Sequence, residues 1–297
     1  MSRSASEGQL TKQKIMETSN SIKTRGMGPY ADILLDAWFK RAFKEYGNAE
    51  RLMQLFIEAL IPGRKIKKLK YTSEESTNQN PDKKGVRVDV ECVDENGERF
   101  VVEVQRAPQA DFFDRAVYDS SFSIQRQLDA GSPVYGFKPV YFIGIVRFLL
   151  HPDDDQFLHS YSLREDESGK MMTDSLRFVF LEVTKCYDHE NASFVEKIGY
   201  ALANMAKFEK RPDGFAGEFF DLLFNSADIS NFATEEKIKY VNDMTTERDI
   251  KNQIAYAREE GEKKGLLKVA KKFKELGTPI SVISEATGLT EAEIMAL

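Results

Sequence analysis

From Val86 to Gln105 the chain reads VRVDVECVDENGERFVVEVQ. Apolar and polar positions alternate at period two in both arms around Asp94-Glu95-Asn96-Gly97, the pattern of a β-hairpin. Two turns fit. A two-residue Asn-Gly turn pairs residues whose numbers sum to an odd value and places Asp89 and Glu103 on opposite faces. A type I turn from Asp94 to Gly97, followed by a bulge at Gly97, makes the sum even. Val86, Val88, Val90, Cys92, Phe100, Val102 and Val104 then share one face. Asp89 stands opposite Glu103 on the other, with Arg87, Glu91 and Gln105 close by. A one-residue slip would split the apolar set between two faces, so the pattern selects the even register.

Around the hairpin the periodicity changes. Leu35, Phe39, Ala42, Phe43 and Tyr46 recur at helical spacing up to Gly47. A second helix runs from Asn48 through Leu52, Leu55, Phe56, Ala59 and Leu60 to Pro62-Gly63. Ile66, Leu69 and Tyr71 mark a short strand among Arg64, Lys65, Lys67, Lys68 and Lys70, a solvated edge or a phosphate contact. Residues 111–130 predict an amphipathic helix with Phe113, Val117, Ile124 and Leu128 inward and Gly131 at its end. Val140 to Leu150 is almost wholly apolar, as in a central strand, and Leu176 to Val183 is another. The turn-rich, acidic stretch between them has room for a small hairpin. The order helix, strand, hairpin, helix, strand predicts an α/β core with a mixed sheet.

Beyond about 186 the pattern is helical. Phe194, Ile198, Ala201, Leu202 and Met205 form one stripe, and Phe219, Leu222, Leu223 and Phe224 another. A charged helix lies within 235–274, with Gly261 and Gly265 as breaks and Lys263, Lys264, Lys268, Lys271, Lys272 and Lys274 making it basic. Thr278 reads as a cap with Pro279 at the first helical position, Gly288 as a stop, and Thr290 with Glu293 as a capping box. The final pair of helices has helix-turn-helix spacing, equally a packing or dimerisation cap. Four segments follow: a polar arm at 1–28, a core at 29–185, a helical accessory region at 186–260 and basic C-terminal helices at 261–297.

Composition narrows the classes. With 41% hydrophobic residues and 21 Phe, the chain has enough apolar side chains for a packed core. Two Cys give neither a disulfide framework nor a zinc spacing. Three scattered His argue against a histidine-centred active site, although His151 beside Pro152 could be a loop ligand. The absence of a signal peptide and of a long apolar run predicts a soluble protein of the reducing cytoplasm, with no membrane partner. The formal charge of −6 argues against a purely electrostatic nucleic-acid binder, but not against an acidic catalytic site among basic patches.

Asp89 and Glu103 carry the candidate chemistry. Facing side chains in a strand pair have Cβ atoms roughly 4.5–5.5 Å apart, close enough to share one cation, and two carboxylates there repel when no cation is present. Hard oxygen ligands suit Mg²⁺ or Mn²⁺. The plainer reading is a solvated hairpin face, with Asp89 paired to Arg87 or Arg99.

Asp89, then Glu103-Val104-Gln105, resembles the D…ExK/Q signature of the PD-(D/E)XK nucleases. Phe112-x-x-Arg115-Ala-x-Tyr118, Gln127-Leu128-x-x-Gly131 and Pro139-Val140-Tyr141-x-Ile143 are similar to the transposase branch of that superfamily, the recombination-promoting nucleases. So are Asp36-x-x-Phe39-Lys40-x-x-Phe43 upstream and, downstream, LRFVFLEVTK, the Phe219–Phe224 block with Ala227, Glu247–Asp249 and ISEATGLTEAEI. The likeness covers about residues 30–297.

The resemblance implies a restriction-endonuclease-like core with a mixed central sheet flanked by helices, followed by an all-helical C-terminal region. It also implies a Mg²⁺- or Mn²⁺-dependent DNA endonuclease that hydrolyses phosphodiesters and associates with the nucleoid when on DNA; a homodimer is compatible. Asp89, Glu103 and the Val104 backbone carbonyl would hold the cation, and Gln105 stands where the superfamily often has Lys. Lys83, Lys84 or Arg87 could supply the missing charge. Glu75, or else Asp36, is the upstream acid. Arg115 and Gln127 could touch phosphate. The alternative is a catalytically silent DNA-binding or regulatory protein on the same fold.

Overall fold

A computed structural model describes residues 28–72, 75–76, 86–128 and 136–297, with backbone alone at 75–76 and 86–87. The chain parts into two compact units at Phe232/Ala233.

The larger unit opens with a short helix, α1 (Asp36–Lys40), which runs into a π-helical turn at Arg41–Glu45; α2 (Ala49–Leu60) follows. Its sheet has six strands in the order β1-β4-β5-β6-β8-β7. These are β1 (Leu69–Tyr71), β4 (Val90–Asp94), β5 (Arg99–Gln105), β6 (Val140–Val146), β7 (Leu158–Arg164) and β8 (Met171–Glu182). The strands β5, β6 and β8 are parallel, and the outer neighbours pair antiparallel. All seven residues of β6 are buried, as its unbroken apolar run requires at the centre of a covered sheet. At the edge, β7 is polar and half exposed. The expected small hairpin is there, turning at Gly169 (φ +68°), and β8 begins at Met171, earlier than the apolar run alone showed.

The sheet has a core on each face. On one, Val90, Cys92, Phe100, Val102, Tyr141, Ile143 and Leu181 pack with α1, α2, α4 (Phe194–Asn204) and α5 (Glu218–Ala227). On the other, Val101, Val140, Phe142 and Phe180 meet α3 (Phe112–Gln125), the crossover between β5 and β6. The helices beyond 186 share the sheet's core through Ala227, and the larger unit runs to Phe232. Helix α3 is turned from its expected face. Phe112, Ala116, Ser120 and Ser123 point inward, while Phe113 and Val117 are exposed. Small side chains let the helix lie close to the sheet, where Ser123 Oγ donates to Glu91 Oε1 at 2.8 Å.

The hairpin has the even register: Val90 faces Val102 and Cys92 faces Phe100. Gly97 takes φ +84°, its N–H donates to Asp94 O (3.1 Å), and Asp94 N–H donates to Glu98 O (3.0 Å), giving a type I turn with a glycine bulge. The alternation does not extend to Val86, however. The ladder stops at Val90, Asp89 forms a bend, and Val88 buries with Val101, Phe112 and Phe142 on the opposite face from Val90. Beyond the bend, β3 (Val86–Arg87) pairs instead with β2 (Glu75–Ser76).

In the second unit α6 (Thr234–Glu275) is one continuous helix; Gly261 and Gly265 do not break it. Its last turns pack with α7 (Ile280–Thr287) and α8 (Glu291–Met295) around Ala270, Ile283, Leu289 and Ile294. Pro279, not Thr278, is the N-cap of α7: its carbonyl accepts the first helical N–H groups, from Val282 (3.0 Å) and Ile283 (3.1 Å), while the Thr278 N–H closes α6 on Phe273 O (3.0 Å). Gly288 (φ +71°) ends α7, and the Thr290–Glu293 capping box forms. No helix among the described residues is long and apolar enough to cross a membrane.

Candidate metal centre

The bend that ends β4 also builds the site. Where a continued β4 would have offered a backbone carbonyl, the Asp89 carboxylate takes over: its Oδ2 accepts the Val104 N–H at 2.8 Å. In a strand the N–H and C=O of one residue point the same way, so the Val104 carbonyl is aimed at the side where Asp89 stands. Glu103 projects to the α3 face of β5, in register with Gly144 on β6. A Cβ at residue 144 would lie 2.7 Å from the Phe180 ring and 3.3 Å from Phe112, so glycine is what lets those rings close over the sheet beside Glu103.

Two helices bring the remaining charges. On α1, Asp36 and Lys40 lie one turn apart, with Lys40 Nζ 2.9 Å from Asp36 Oδ1 and 3.7 Å from Asp89 Oδ1. Asp36 and Asp89 also share a side-chain hydrogen bond. From α3, the Arg115 guanidinium reaches Glu103 Oε2 (2.9 Å), Gln105 Oε1 (3.3 Å) and Asp119 Oδ2 (3.4 Å). The site is thus four carboxylates, from Asp36, Asp89, Glu103 and Asp119, threaded by two cations.

Its electrostatics are those of an acid pair waiting for positive charge. Burial, then the hydrogen bond to Asp36, pushes the Asp89 carboxyl up to about 7, against the Val104 N–H and the Lys40 ammonium. Burial, then the charge of Asp89, pushes Glu103 up to about 8, with Arg115 opposing. The Glu103 side chain is 4% exposed, yet its Oε1 is buried with no hydrogen-bond partner among the described residues. A buried carboxylate oxygen left unpaired is costly. Glu103 Oε1, Asp89 Oδ1 and the Val104 carbonyl are hard oxygen donors, the kind that suits Mg²⁺ or Mn²⁺.

The other expected residues are distributed as follows. Gln105 is at the site, but its amide donates to Ala107 O (3.0 Å) and its oxygen serves Arg115. Gln127 is not there. Its amide is spent at the far end of α3, on Ser123 O (3.1 Å) and on both backbone groups of Lys138, beside the hairpin turn at Gly97. Of the two upstream acids, Asp36 meets Asp89; the Glu75 backbone pairs with Arg87 in β2–β3, a separate two-stranded sheet. The side chains of Glu75 and Arg87, and all of Lys83 and Lys84, lie outside the described residues. Lys40 and Asp119 were not anticipated. The signal for each is an i,i+4 spacing, Asp36 to Lys40 and Arg115 to Asp119, which places opposite charges on one helical face. Glu91, also expected near the pair, is fully buried and neutralised by Arg99 (3.3 Å) and Arg126.

The family profile described as PD-(D/E)XK nuclease family transposase matches residues 33–257, well over half of the chain. No curated protein and no solved structure matches.

Proposed function

This chain belongs to the PD-(D/E)XK nuclease family transposases, and on that ground we propose that it is a divalent-metal-dependent DNA endonuclease. The observation that carries the reading is the buried pair Asp89–Glu103, with Glu103 Oε1 unpaired among the described residues, Asp89 tied to the Val104 N–H, and both carboxyls raised in pKa. Asp89, Glu103 and the Val104 carbonyl would hold Mg²⁺ or Mn²⁺, with Asp36 as an outer acid. When bound, such a cation polarises a phosphodiester and acidifies water.

The chain's own residues do the rest. Asp89 orients the end of β5 through Val104 N–H. Lys40 holds Asp89 and Asp36 in place and offers an ammonium to phosphate. Arg115 occupies the role that a lysine at 105 would otherwise fill: its guanidinium lies between Glu103 and Gln105, 30% exposed, and presents positive charge where a phosphate would develop negative charge. Gln105 fixes that guanidinium and can orient water. Arg106 and Arg147, which directly follow β5 and β6 and both bind Asp32 (3.4 and 2.9 Å), add positive charge at the same end of the sheet. DNA as substrate, and the basic lysines of α6 as a second contact to its backbone, complete the reading.

Supercoiled plasmid incubated with Mg²⁺ or Mn²⁺ tests it. Nicking by the wild type, abolished by EDTA and by Asp89→Ala, is expected. A salt-dependent gel shift without cleavage in either metal would instead assign a silent DNA-binding protein.

A further inference from the structure

Two strands away from Asp89 and Glu103, a second set of metal-ligating groups converges. His151 follows β6, His159 sits on β7, and Glu182 is the last residue of β8. His151 Nδ1 is 2.9 Å and His159 Nε2 is 3.1 Å from the same oxygen, Glu182 Oε1, and the three candidate ligand atoms lie within 4.8 Å of one another. The two imidazoles are stacked, 3.9 Å between centroids. Glu182 is fully buried and His159 nearly so.

The surroundings hold these groups in place. Glu182 Oε2 accepts the Leu150 N–H at 2.7 Å, which leaves Oε1 facing the rings. His151 turns its other nitrogen, Nε2, to the Tyr161 hydroxyl, an outer partner of the kind that fixes tautomer and orientation in metal-bound histidines. Lys185 Nζ also reaches Glu182 Oε1, at 3.1 Å. Three nitrogens thus crowd one carboxylate oxygen. The ammonium has other anchors at His151 O (2.6 Å), Gln156 O (3.1 Å) and Asp154 Oδ1 (3.2 Å), so it keeps its place when Oε1 is taken by an ion. His159 Nε2 gives up its contact with Gln156 O (2.9 Å) in the same exchange.

The chemistry of the donors selects the ion. Ligands about 2.0–2.2 Å from a tetrahedral zinc stand roughly 3.3–3.6 Å apart, and the observed nitrogen–oxygen separations of 2.9 and 3.1 Å need to open by only about half an ångström. Two imidazoles and one carboxylate suit zinc and its neighbours, whereas Mg²⁺ prefers oxygen alone. We propose that His151, His159 and Glu182 bind a transition-metal ion of the zinc class, which clamps edge strand β7 to the ends of β6 and β8. The clamp is independent of the nuclease reading and fixes an edge strand, which pairs on one side only.

The test is zinc uptake by the metal-free full-length protein in excess Mg²⁺, measured as bound zinc per chain after gel filtration. About one equivalent is expected for the wild type, for Asp89→Asn, and for His189→Ala, whose imidazole pairs separately with Glu196. His151→Ala with His159→Ala should bind none. A wild type that takes up no zinc, or a double variant that still takes up one equivalent, overturns the proposal. Should the double variant fail to fold, Co²⁺ added to the wild type decides: intense visible absorption of tetrahedral cobalt, displaced by zinc and lost in His151→Gln, is expected. Its absence in the wild type overturns the proposal.

Discussion

Asp89→Asn removes a charge while keeping a side-chain oxygen for the Val104 N–H. In the metal-free protein it should stabilise the fold, and by an amount that depends on pH. Asp89 is 15% exposed and its carboxyl is raised from 3.8 to about 7. At about 1.36 kcal/mol per pKa unit, three units are a ceiling of about 4 kcal/mol of strain carried by the ionised group. Asn keeps part of the burial cost, so a gain of about 2 kcal/mol at pH 8 is expected. The sign follows from proton counts. Between about pH 4 and pH 8 the folded wild type holds protons that the unfolded chain has released, so its stability falls as pH rises through that window. Removing Asp89 takes away its share of that fall and relieves Glu103 as well. Urea unfolding in EDTA at pH 5 and pH 8 reads the difference, provided both proteins share one m-value. The variant's advantage should be larger at pH 8 than at pH 5, by about 1–2 kcal/mol from the same linkage. A variant no more stable than the wild type at pH 8, or equally advantaged at both pH values, refutes the argument.

Other perturbations follow from the same geometry. Arg115→Gln should lower plasmid cleavage by about 10- to 1000-fold, as expected for loss of one electrostatic stabiliser. Gln105→Lys should not raise activity in the wild type, where it sets an ammonium against the Arg115 guanidinium 3.3 Å away, but should restore part of the loss in the Arg115→Gln background; a gain in the wild type alone would count against Arg115. Cleavage should strengthen as pH rises from about 6 to 8, because the raised Asp89 and Glu103 carboxyls must lose protons before a cation binds; a flat profile of Mn²⁺ affinity over that range would contradict this. Glu91→Ala, which strands Arg99 and Arg126, should cost about 3–5 kcal/mol in urea unfolding without abolishing cleavage by the folded fraction. Deleting residues 262–297 should reduce the salt dependence of DNA binding by about 0.9 in logarithmic slope per lost phosphate contact; an unchanged slope would confine the segment to packing.

The hairpin was legible because hydrophobic pattern and turn chemistry agree: only the even register keeps Val90, Cys92, Phe100 and Val102 together, and Gly97 takes the positive φ that the bulge needs. Period two could not show that the alternation breaks at Asp89. That bend depends on a side chain replacing a backbone acceptor for Val104, which is a tertiary contact. The rotated face of α3 has a similar origin. The most apolar stripe, Phe113 and Val117, faces outward because a close approach to the sheet favours Ala116, Ser120 and Ser123. At the candidate site, the nearness of Asp89 to Glu103 was legible from the hairpin register, although Asp89 lies in a bend just outside the ladder. Those delivered by helices distant in sequence, Lys40 from α1 and Asp119 from α3, were hidden, because nothing in one chain's sequence states which helix ends meet. Asp36, ranked after Glu75 on sequence, is the acid that meets Asp89, and its approach is hidden for the same reason. Gln127, expected as a phosphate contact, instead spends its amide on the backbone of Ser123 and Lys138.

The most direct measurement of the central claim is the binding of Mn²⁺ at pH 8, followed by electron paramagnetic resonance of the free ion, in the wild type and in Asp89→Ala. One equivalent bound by the wild type and lost in the variant, together with loss of plasmid nicking in the same preparations, is the expected result. An Asp89→Ala protein that binds Mn²⁺ as tightly as the wild type and still nicks DNA would contradict it.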